Sequence, residues 1–103
     1  MGINDLYSYV VIDSAGEKIG AVGQVYIDNT SGLPTWVTAK TGLFGTKQIF
    51  IPLDYAQIAG SEILLPYERK FVLDAPRLDV DRQLTAKDEA ELCEYYGIDA
   101  TVA

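Results

Sequence analysis

From Tyr7 to Tyr67 the sequence is cut into short apolar runs by Gly, Pro, Asn, Asp or Ser. The breaks recur about every 8 to 12 residues, a rhythm that suits antiparallel strands joined by tight turns and leaves no room for long helices. The runs are Tyr7 to Ile12, Lys18 to Ile27, Thr35 to Lys40, Gln48 to Leu53, Tyr55 to Ile58 and Glu62 to Leu65. Between them stand Asp13-Ser14-Ala15-Gly16, Asp28-Asn29-Thr30-Ser31-Gly32, the glycine-containing loop Thr41 to Thr46, and Ala59-Gly60-Ser61. Asp and Asn bond their own backbone in such places and Gly accepts positive φ. In the second run, period two puts Ile19, Ala21, Gly23, Val25 and Ile27 on one side and Val22 and Tyr26 on the other. Gly20 and Gly23 inside it mark a bulge or a sharp bend. A long bent strand among five shorter ones predicts a mainly β fold, a small six-stranded antiparallel β-barrel.

After Pro66 the pattern changes. Glu68 to Leu73 can form only a short helical turn before Ala75-Pro76 stops it. A polar arm with Asp79 and Asp81 follows, and then Thr85-Ala86-Lys87-Asp88, a capping signature that starts a helix at Ala86. Gly97 supplies a left-handed end and Ile98 the apolar contact that accompanies it. Leu92, Cys93 and Tyr96 form the stripe expected to dock on the barrel, with Asp88, Glu91 and Glu94 facing water. At 103 residues this reads as one domain, with the barrel over about 5–67, a linker arm over 68–84 and a C-terminal helix over about 85–97.

Charge and residue content narrow the function. Eight Lys and Arg stand against 15 Asp and Glu, a net charge of −7, and such a field repels nucleic acid. From Thr85 onward one Lys faces Asp88, Glu89, Glu91, Glu94 and Asp99, a solvated helix face or an acidic dock for a basic partner. There is no His, which removes His-activated nucleophiles and most zinc sites. Gly16 to Gly23 matches neither phosphate-binding glycine pattern, and a strand follows it. The single cysteine, Cys93, cannot form an intramolecular disulfide and suits a reducing compartment. No apolar run approaches the roughly 18 residues that span a bilayer, and no basic region followed by an apolar stretch opens the chain. The expectation is a cytoplasmic, non-catalytic protein without membrane insertion and without a cofactor.

Two sets of residues remain as candidates for binding. Tyr26, Trp36, Phe44 and Phe50 either pack the core or alternate outward as an interface, in which case two-fold self-association is expected. Asp79 and Asp81, with Asp74 nearby, could offer oxygens to Ca²⁺ or Mg²⁺, although the run lacks the Gly and distal Glu of a calcium loop. Gly16-Glu17-Lys18-Ile19-Gly20, Val25-Tyr26-Ile27-Asp28, Trp36-Val37, Gly42 to Gly45 and Ile51-Pro52-Leu53 together resemble the PRC-barrel domain over about residues 5–75. That family's small barrel is found in the H subunit of the photosynthetic reaction centre, in a ribosome maturation factor and in many short bacterial and archaeal proteins. The segment from Asp74-Ala75-Pro76-Arg77 to Tyr95-Tyr96-Gly97 is similar to bacterial members in which the barrel precedes a stress-associated domain. The resemblance implies protein binding and assembly with no catalytic residues. The alternative is a small-molecule or metal-ion-binding regulatory domain.

Overall fold

The computed structural model describes residues 3–28, 30–42, 47–76 and 84–98. A 3₁₀ helix, Ile3–Ser8, leads into β1 (Val10–Ile12), β2 (Lys18–Ile27), β3 (Pro34–Thr41), β4 (Lys47–Pro52), β5 (Gln57–Ala59) and β6 (Glu62–Leu64). Two helices follow, α1 (Arg69–Leu73) and α2 (Ala86–Tyr96). The first apolar run is therefore a strand only at its end. Ser8 Oγ donates to the Asp5 carbonyl at 2.8 Å, and the tight turn lets Leu6 drop into the core. At the fifth run, Ala56 N–H donates to the Leu53 carbonyl, so the chain turns through Asp54-Tyr55 and the strand starts two residues later than its apolar pattern suggests.

The six strands form one sheet in the order β4-β3-β2-β1-β6-β5. Two features differ from the expected antiparallel barrel. β1 runs parallel to β6, with Val11 opposite Ile63, and this ladder continues through Leu65 N–H to the Ile12 carbonyl at 2.9 Å. The period-two pattern of a strand records which face is buried but carries no direction, so the β5–β6 hairpin can lie along β1 in either sense. The sheet is also not closed: β4 and β5 are its two edges, and among the described residues they do not pair.

Curvature comes from β2. Its first half pairs with β1 and its second half with β3, with register shifts between Val22 and Val25 and between Tyr26 and Ile27. These irregularities rotate the strand, so the buried set is Ile19, Gly20 and Val22, while Ala21 and Ile27 are exposed. A bulge breaks the period-two face that the sequence implied. At the fold, Gly20 lies against the Lys40 main chain so closely that a Cβ would overlap the Lys40 carbonyl. Nearby, Thr38, fully buried, donates to Gln48 Oε1 at 2.6 Å and accepts from Gln24 N–H at 2.9 Å.

β3 and β4 are buried on both faces. By alternation, Val37, Ala39, Ile49 and Ile51 share one face and Trp36, Thr38 and Phe50 the other. The second face meets the helices: Trp36 and Tyr96 lie ring to ring at 6.2 Å, and Leu92 and Cys93 join the same core. α2 has the ends the sequence specified. Thr85 Oγ1 accepts from Asp88 N–H at 3.0 Å and Asp88 Oδ2 accepts from Thr85 N–H at 3.2 Å. Gly97 is left-handed at φ 73°, and Ile98 N–H returns to the Cys93 carbonyl at 2.8 Å. Asp88 is buried rather than water-facing, because the reciprocal cap folds its carboxylate back onto the helix end.

Candidate interface

The two edges of the sheet are treated differently. Along β4, Tyr96 Oη donates to the Phe50 carbonyl at 2.8 Å, so the helix layer satisfies a main-chain acceptor there. Burial pushes the Tyr96 phenol well above its usual pKa, with the Tyr95 and Tyr67 hydroxyls adding to the effect, and the hydroxyl stays a donor. Two further tyrosines tie the helices together. Tyr67 Oη donates to the Tyr96 carbonyl at 3.2 Å, and Tyr95 Oη donates to the Phe71 carbonyl at 2.6 Å. Rings of Tyr67, Phe71 and Tyr95 stack beside them at centroid distances of 5.6 and 4.5 Å. β4 also carries Lys47 and Pro52, residues that blunt an edge.

Among the described residues, β5 has none of this cover. Gln57, Ile58 and Ala59 are all exposed, and Ile58 retains 42 % of its surface. The strand holds no charge and no proline, the two devices that most simply discourage edge pairing. Beside it lies a groove of about 190 Å³ lined by Leu6, Pro34, Leu53, Ala56 and Ile58. Two apolar side chains stand proud next to groove residues in sequence, Leu33 at 64 % and Tyr55 at 58 % exposure. The arrangement is an exposed strand edge next to an apolar groove, while Tyr55 lines a different hollow with Gln57 and Pro66.

The β1–β2 turn is built around one carboxylate. Asp13 is buried, and its Oδ1 accepts from Ala15 N–H at 2.9 Å and Glu17 N–H at 2.7 Å. Its Oδ2 accepts from Arg69 N–H at 2.9 Å, at the start of α1. Burial works against the charge, but the hydrogen bonds from Glu17, Arg69 and Ala15 and the Arg69 guanidinium outweigh it, so the carboxyl titrates below the usual range. Asp13 thus acts as the cap of α1 from the far side of the chain.

The aromatics singled out from the sequence do not form this surface. Trp36 is 3 % and Phe50 1 % exposed, both in the core, and half-buried Tyr26 packs on Phe50 at 5.1 Å. An outward alternation of Trp36 and Phe50 is corrected by the helices, which cover the outer face of β3 and β4. Phe44, Asp79 and Asp81 lie outside the described residues. Two exposed apolar residues, Leu33 and Tyr55, were missed, because they sit between strands where no periodicity marks them. Leu33 beside Pro34 was the available signal, an apolar residue where turn chemistry favours polar ones. Among the described residues no helix is long and apolar enough to cross a membrane.

A search of curated proteins finds none that matches this sequence. A family model described as the PRC-barrel domain matches residues 1–80, which takes in every strand and α1. The match agrees with the glycine-marked hairpins and the bent second strand, and the chain belongs to the PRC-barrel domain family.

Proposed function

We propose that this chain is a non-catalytic assembly module of PRC-barrel type that docks protein by strand addition at β5, and that its first partner is a second copy of itself. The single observation that carries the reading is the asymmetry of the sheet edges. One is covered by α2 and satisfied by Tyr96, and the other is exposed at every residue beside an apolar groove. Two β5 strands laid antiparallel across a two-fold axis would satisfy each other's main-chain groups. A three-residue strand offers few hydrogen bonds, so apolar contact must supply most of the affinity. Leu53, Ala56 and Ile58 line the groove, and each large side chain removed from water contributes roughly 1.5–3 kcal/mol. The charge of −7 opposes association, but exposed charges more than about 8 Å apart are largely screened at physiological salt.

Light scattering over a range of protein and salt concentrations tests this. The expected result is a dimer mass that weakens at low salt and falls to the monomer mass in Ile58→Asp. A monomer mass for the parent chain at every salt and at high concentration would remove self-association.

A further inference from the structure

A second cavity, of about 290 Å³, opens where β2 and β3 meet the amino-terminal turns of α2. Tyr26 and Trp36, cross-strand partners, form its aromatic side, and Leu84 and Glu89 close it from the helix. Trp36 is buried and serves as a floor, whereas Tyr26 is half-buried and offers part of its ring. Asp28, just past the end of β2, completes the rim, so that the charged residues of the described lining, Asp28 and Glu89, are both carboxylates.

Each carboxylate has a local duty. Asp28 Oδ2 accepts from Ser31 N–H at 2.8 Å and orders the β2–β3 turn, and the hydrogen bonds from Ser31 hold the carboxyl below the usual range. Glu89 sits in the first turn of α2, where the helix dipole favours negative charge. Neither duty requires that the two, carried on elements far apart in sequence, face one cavity with an aromatic wall.

We propose that this cavity binds a single organic cation head group, an alkylammonium or a guanidinium, held by Asp28 and Glu89 and resting against the ring of Tyr26. Charge-assisted hydrogen bonds to carboxylates and attraction to an aromatic face are the two contacts such a group seeks. A bare divalent ion is a poorer guest, since Ca²⁺ asks for about six to eight oxygen ligands and the described lining offers two carboxylates, Asp28 and Glu89. The volume lies at the small end of ligand sites, roughly 300–1,000 Å³, which suits a head group and a short stem. The protein's charge of −7 draws cations towards it. The inference is independent of the β5 edge and can fail without affecting the assembly reading.

Trp36 is the only tryptophan and floors the cavity, so its fluorescence reports occupancy. The full chain is titrated with N-acetyl-arginine amide and with n-butylammonium, and with N-acetyl-citrulline amide as a neutral match in shape. Main-chain amide shifts at Thr35, Leu84 and Glu89 provide a second readout. The expected result is a saturable response to both cations, weakened by salt and by about five- to tenfold in Glu89→Gln, with none for the citrulline compound. A short arginine-containing peptide that binds more tightly than the free amide assigns the head group to a partner's side chain. A peptide that binds no better assigns it to a free small cation. An equal response to citrulline, no saturable change in either readout, or undiminished affinity in both Glu89→Gln and Asp28→Asn overturns the proposal.

Discussion

Gly20 has no room for a side chain, because a Cβ there would overlap the Lys40 carbonyl across the fold of the sheet. In most strands replacing Gly by Ala gains roughly 0.5–1 kcal/mol. Here the sign reverses, and Gly20→Ala is expected to cost at least the 1–3 kcal/mol typical of overpacking, read as a lowered urea midpoint. Asp13 makes a second prediction at this scale. Its pKa is lowered on folding, so its contribution is fully present above the unfolded value of about 3.9 and is lost as pH falls through the folded value. Asp28 is lowered in the same direction and adds to the acid limb. Urea titrations at pH 7, 4 and 3 should show the parent losing stability steeply in acid. Asp13→Asn should be less stable at pH 7 and show a shallower acid loss; a limb as steep as the parent's would show that other groups carry it.

α2 is the element with the most complete local specification. The reciprocal Thr85–Asp88 cap and the left-handed Gly97 satisfy main-chain groups at both ends, and Tyr67 Oη takes up the Tyr96 carbonyl. Thr85→Ala is expected to cost about 1 kcal/mol, and Gly97→Val more, because a β-branched residue is poorly suited to φ 73°. Denaturant titration decides between this and a helix that contributes little, in which case both variants would match the parent. The same element carries Cys93, which is buried. A packed thiol should react slowly with a thiol reagent in native buffer and quickly in denaturant; equal rates would contradict the packing of α2 on β3 and β4.

For the whole molecule, the placement of the aromatics separates stability from assembly. Trp36 belongs to the core that joins the sheet to the helices, so Trp36→Ser is expected to cost about 3–5 kcal/mol, a large share of the roughly 5–15 kcal/mol that holds a small domain together. Its signature is a lower melting temperature, whatever the oligomeric state. Ile58→Asp, on the exposed edge strand, should leave the melting temperature of the monomer nearly unchanged and remove the dimer. If the two variants exchanged these effects, Trp36 would be the interface and β5 a part of the core.

Local chemistry alone determined much of this protein. Turn residues set where each strand stops, the Lys18–Ile27 strand was legible to the residue, and Thr85, Asp88 and Gly97 bounded α2 because capping uses groups within a few positions of one another. The helix stripe of Leu92, Cys93 and Tyr96 was legible for the same reason, since a 3.6-residue period needs no knowledge of the partner. Decisions made between distant segments were not legible. The direction of β6 along β1, the failure of β4 and β5 to meet, and the burial of both faces of β3 depend on which surfaces the fold brings together. Trp36 and Phe50 alternate outward from their sheet as the period-two pattern says, but outward there is towards α2 and not towards water. The groove at β5 and the Asp28–Glu89 cavity arise in the same way, each from residues far apart in sequence that only the packed chain places side by side.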